Sequence, residues 1–97
     1  MTLRCQGKPA GCKLLRIEAE IDMVSTAAPL IRSILIRGDF FAIPEEVFEA
    51  LEFSLVDIPL EGFAACFDAK AGELGLQMAG IHGEGVESVI RSALNGV

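Results

Sequence analysis

At 97 residues the chain has room for one domain, near the small end of what buries an adequate core by itself, and residues 1–97 are read as that single domain. An apolar content of 52% places it among globular proteins, and no apolar run approaches the roughly 20 residues that a membrane span needs. A net charge of −6 argues against general nucleic-acid binding, which takes a basic surface.

The charge is unevenly spread. Residues 1–37 hold six Lys or Arg against three acids, and residues 38–97 hold two against eleven, so the first part is the better neighbour for an anion. The N-terminal "MTLRCQGKPAGCK" lacks the apolar block and small-residue cleavage site of a secretory signal, which predicts a cytoplasmic protein. Cys5, Cys12 and Cys66 leave one unpaired in any disulfide scheme and read as free thiols.

In chain order, "LRC" before Gly7 supplies a short strand, turned back through "GKPAG". "KLLRIEAEID" alternates, with Leu15, Ile17, Ala19 and Ile21 on one face and Arg16, Glu18, Glu20 and Asp22 on the other: a strand with one wet face. "VSTAAP" interrupts it. "LIRSILIRG" then returns as an antiparallel strand, on which Ile34, Ile36 and Phe40 share a face. After Phe41 the period changes. Pro44 suits the first position of a helix over 44–56, Glu45 and Glu46 complement its dipole, and Val47, Phe48, Leu51 and Leu55 form its apolar stripe. Pro59 opens a second helix carrying Leu60, Phe63, Ala64, Phe67 and Ala71, ended by Gly72. "GELGLQMAGIHGEG" reads as a glycine-rich connection, and Val86, Val89, Ile90, Ala93 and Leu94 make a last helix ending near Asn95 and Gly96. Strands first and helices after predict an α+β domain, with helices on one face of an antiparallel sheet of about three strands.

Chemistry is sparse. A catalytic serine or cysteine needs a base in reach, and His82 is the sole histidine, so no catalytic set is assigned. The Cys5 to Cys12 interval lacks the short spacing of a zinc knuckle, and no metal site is assigned; a group built from all three cysteines with Asp39 or His82 remains open. "GKPAGCK" has lysines and glycines without P-loop spacing.

Two stretches taken together point further. "KPAGCKLLRIEAEI" and "SILIRGDFFAIPEEVFEALEFSL" resemble the accessory domain of lipoate-protein ligases, which shows a Lys-Pro-Gly-Gly-Lys-Leu-type lead into a strand, then Gly-Asp-Phe-Phe, an apolar spacer and Pro-Glu-Glu. The likeness covers about residues 8–56, and "IHGEGVESVIRSALNG" lies where the family has its final helix. Ala10 stands at the first glycine of the usual pair and Cys12 just before the lysine, a departure in the loop. The resemblance implies a fold similar to iron-sulfur scaffold and sulfur-acceptor (SufE/NifU-like) proteins. It also implies a non-catalytic subunit of a two-component ligase, working with a catalytic chain that makes lipoyl-AMP from lipoate and ATP/Mg and passes the lipoyl group to lipoyl domains or the glycine cleavage H protein. Lipoate and ATP would be held through that partner. The rivals are an iron-sulfur or sulfur-carrier scaffold using the cysteines, and a plain protein-interaction module.

The motif itself sets a packing problem, because adjacent rings in extended chain point opposite ways. Gly38 permits a close backbone approach, Asp39 caps or bonds the turn into the first helix, Phe40 faces inward and Phe41 is left pointing away. Leu35 and Phe53 also fall off their apolar stripes. Leu35, Phe41 and Phe53 are therefore the expected partner contacts, and Lys13, then Lys8 and Arg16, the expected neighbours of nucleotide phosphates or an acidic partner surface.

Overall fold

The computed structural model describes residues 1–23 and 29–95. In chain order these form β1 (Thr2–Gly7), β2 (Leu15–Asp22), β3 (Leu30–Gly38), β4 (Phe41–Ile43), α1 (Glu45–Ser54), β5 (Ile58–Pro59), α2 (Phe63–Glu73), β6 (Gln77–Ala79) and α3 (Gly83–Asn95). Most of the "VSTAAP" break, and Gly96 at the expected end of the last helix, lie outside the described residues.

The architecture is α+β. The main sheet runs β1-β2-β3-β5 with antiparallel pairing throughout, and β4 pairs with β6 in a second sheet of two strands. The alternation in β2 decides which face is buried: Leu15, Ile17, Ala19 and Ile21 join Ile31, Ile34 and Ile36 of β3 under the helices, while Arg16, Glu18 and Glu20 stay in water. Phe48 and Leu51 of α1, Phe63 and Phe67 of α2, and Val86, Val89 and Ile90 of α3 close the core from the other side. Burying side chains of this size stabilises by roughly 1.5–3 kcal/mol each, which is what holds so short a chain together.

Four expectations are corrected. Pro59 does not open a helix; it pairs with Leu30 in the edge strand β5, where a residue without an N–H is tolerated, and α2 begins only at Phe63. Gly72 lies inside α2, which continues to Glu73. Pro44 precedes α1 as its N-cap, in extended conformation, in place of the first helical position. The glycine-rich connection contains β6 and the first turn of α3, because its glycines serve close packing: a Cβ on Gly83 would stand 2.3 Å from the Ala64 carbonyl oxygen. The sheet accordingly has four strands, the fourth only two residues long.

Candidate partner-binding surface

The Gly-Asp-Phe-Phe corner is a tight backbone crossing. Gly38 has φ of 151° and lies so close to β2 that a Cβ there would meet the Leu14 carbonyl oxygen at 2.0 Å. Any side chain would push the corner off the hairpin. The Asp39 N–H donates to that same Leu14 oxygen at 3.0 Å, fastening the corner through its backbone. α1 has no side-chain cap, so the expected capping by Asp39 does not occur. Phe40 turns toward α1 with its ring centroid 5.2 Å from that of Phe48, half-buried against the core. Phe41, the first residue of β4, is left 59% exposed.

Beside this corner, α1 runs along the part of β3 that β5 does not pair. Glu52 fills the seam. Its carboxylate accepts the Ile36 N–H at 2.7 Å and lies 3.3 Å from the Arg37 guanidinium, which also donates to the Ile36 carbonyl at 2.8 Å. Burial pushes the Glu52 carboxyl up from the ordinary carboxylate range, against the downward pull of the Ile36 N–H and Arg37. Helical periodicity places Glu52 at the border of the α1 apolar stripe, one turn after Phe48, and nothing in the local pattern signals an unpaired strand edge waiting for an acceptor.

Two shallow grooves flank the Arg37–Glu52 pair. One, of about 310 Å³, is lined by Ser33, Leu35, Glu49, Phe53 and Val56, and the other, of about 300 Å³, by Gly38, Phe40, Phe41, Glu45 and Phe48. Leu35 and Phe53, from different elements, thus meet across one groove with 49% and 79% of their surface in water, and Phe41 stands in the adjoining one. Val56, 48% exposed, extends the apolar lining of the first groove, and Ile43, 55% exposed, lies two residues after Phe41 in β4; no periodicity in the sequence singles them out.

The expected phosphate neighbours are dispersed. Lys8 lines a groove against α3, Lys13 packs beside Gly80 with its N–H bonded to the Gly80 carbonyl at 2.8 Å, and Arg16 stands on the outer face of the main sheet. Among the described residues, the three line no groove in common. His82 is committed to the loop between β1 and β2: its Nδ1 accepts the Gly85 N–H at 3.1 Å, which leaves Nε2 to donate to the Ala10 carbonyl at 3.2 Å. The three cysteines are free; Cys12 is buried against the start of α3, and burial raises the Cys5 thiol pKa, disfavouring the nucleophilic thiolate. Among the described residues, no three His, Cys, Asp or Glu side chains come together to hold a metal ion, and no helix is long and apolar enough to cross a membrane.

The fold has a counterpart among solved structures. The chain superposes, over 97% of its own length and 97% of the other's, on a chain from an archaeal lipoylation system, a bi-partite lipoate protein ligase and its E2 lipoyl domain from Thermoplasma acidophilum, with a TM-score of 0.64 and 24% identity. It shares that fold. No protein-family profile and no curated protein matches the sequence. Within this fold the two grooves share Arg37, Glu49 and Glu52, so the Gly-Asp-Phe-Phe corner and the Leu35–Phe53 groove adjoin at the Glu52 seam.

Proposed function

We propose that this chain is the accessory subunit of a two-component lipoate-protein ligase, required with a separate catalytic chain for ATP-dependent activation of lipoate to lipoyl-AMP. The observation that carries the reading is the mutual 97% coverage with a chain of the bi-partite system, joined to the Gly-Asp-Phe-Phe and Pro-Glu-Glu sequence at the corner of the fold. Under this reading the chain contributes surface and order to the partner, while lipoate, ATP and Mg are held by the catalytic subunit and the lipoyl group passes to a lipoyl domain or the glycine cleavage H protein. The free cysteines are packing residues in this account.

A non-catalytic subunit must bind, and the exposed apolar residues by α1 are where binding energy is available. Aromatic anchors in desolvated pockets dominate interfaces of ordinary size. Mixing the chain with its catalytic partner should give a stable complex on size exclusion, and truncation to Ala of a true anchor among Leu35, Phe41 and Phe53 should weaken association by about 2 kcal/mol, roughly thirtyfold, with little loss of fold stability. Parent-like binding by all three variants would remove these residues from the interface, and failure of the parent chain to associate would contradict the reading itself.

A further inference from the structure

The two faces of the main sheet are chemically unlike. The inner one is covered by helices, whereas on the outer one Arg4, Gln6, Arg16, Glu18, Leu35 and Arg37 are all exposed. Strand register sets these into rows: Gln6, Arg16 and Arg37 lie side by side across β1, β2 and β3, and Arg4, Glu18 and Leu35 form the next row. They surround an open groove of about 730 Å³ with Cys5 and Ile17 in its floor. This groove shares Leu35 and Arg37 with the one beside Phe53, so the sheet face and the α1 flank form one surface.

We propose that this open sheet face is the docking surface for the catalytic chain, and that it selects a partner surface with an apolar centre and carboxylates around it. The proposal rests on the accessory-subunit reading and adds which face binds and with what chemistry. In a chain of net charge −6, three of the eight basic residues line this groove around Leu35 against the carboxylate of Glu18, with the exposed Glu20 one row beyond it on the same face. Two of the three guanidinium groups already meet a carboxylate, and that of Arg16 is left for an incoming one. Arg4 meets Glu18 at 3.5 Å with 77% of its side chain in water, and Arg16 has no ion-pair partner among the described residues. Arg37 leans over the edge to Glu52, fixed at the boundary between the sheet groove and the α1 groove. Arg16 also stands directly across from Arg37, whose guanidinium is turned to Glu52, so Arg16 is the cation of that row left for a docking carboxylate. Guanidinium forks are well suited to carboxylates at an interface rim, where they add rate and selectivity beyond the energy of the apolar centre. The exposed Leu35 at the centre of the face, continuous with the groove beside Phe53, gives a protein surface apolar area to bury that a polyphosphate lacks.

The test is the affinity and association rate of the purified catalytic chain for the parent, Arg16→Gln, Arg16→Glu and Lys70→Glu, at low salt and at about 0.5 M salt. Lys70 lies on α2 in the helical layer, so its reversal alters net charge as Arg16→Glu does without touching the sheet face. Arg16→Glu sets a carboxylate opposite Arg37, and thermal melting should show a fold at least as stable as the parent. Expected is a graded loss, with Arg16→Glu weakened about tenfold or more at low salt, mainly through the association rate, the difference shrinking at high salt. Lys70→Glu should stay within about twofold of the parent. Parent-like binding by both Arg16 variants, or an equal loss in Lys70→Glu, overturns the docking face while leaving the accessory reading standing. No association by the parent chain ends both.

Discussion

Glu52 carries its carboxylate into the seam between α1 and β3, where it serves as the acceptor that a neighbouring strand would otherwise provide to Ile36. Truncation to Ala should leave that N–H without a protein partner and cost about 2 kcal/mol, read by denaturant unfolding. The pH dependence has a definite sign. Because burial raises this carboxyl in the folded chain above its ordinary value of 4.5, the folded state binds more protons than the unfolded state between 4.5 and the raised value. Its contribution to stability is therefore fully present below pH 4.5 and is lost as pH rises through the raised folded value. Glu52→Gln should flatten that part of the stability profile. An unchanged slope in the Gln variant would show that Glu52 ionises in the folded chain as it does in water. Neither the seam nor the raised carboxyl could be read from sequence: a helical wheel sets Glu52 at the edge of the apolar stripe, one turn after Phe48, and does not tell that an open strand N–H lies there. The neighbouring phenylalanines were readable: the rule that adjacent side chains point apart left one ring outside, and Phe41 is the exposed one.

Among elements, the strongly alternating strands and the longer helices could be read because their patterns repeat enough times to stand out. β5, β6 and the first turn of α3 could not. Two or three residues of strand carry no period, and proline and glycine report local permissiveness without saying whether it serves a turn, a strand edge or a close crossing. The α2–α3 crossing separates these meanings. Gly83 is pressed against the Ala64 carbonyl, and its N–H donates to Asp68 Oδ1 at 2.9 Å, while Gly72, in the same helical layer, has open space where a methyl group would stand, with nothing within 4 Å. Gly83→Ala should thus destabilise by about 1–3 kcal/mol through overpacking, and Gly72→Ala should stabilise by about 0.5–1 kcal/mol through helix propensity. For a domain of this length each 1 kcal/mol is about 4–8 °C in Tm, so two thermal melts decide it. Equal and small shifts would mean that α2 and α3 pack less closely than these distances require.

For the molecule as a whole, the division of labour follows from where its energy and its reactive groups lie. The single histidine is engaged in holding a loop, the cysteines lie in three separate places, and Leu35, Phe53 and Val56 adjoin Arg4, Arg16 and Arg37 where the outer sheet face meets α1. This distribution supports the proposed reading of a chain that acts through a surface. The α+β order of elements and the corner motif made this reading accessible from sequence, whereas the gathering of Leu35, Phe53 and Arg37 from two elements required the three-dimensional pairing of β3 with α1. The most direct test is lipoyl-AMP formation from lipoate and ATP by the catalytic chain, with and without this protein. The account predicts no product at an enzymatic rate from this protein alone, and ATP-dependent adenylation by the catalytic chain that rises sharply when the protein is added in equimolar amount. Adenylation by this protein alone at an enzymatic rate, or a catalytic chain whose rate does not change on its addition, would contradict it.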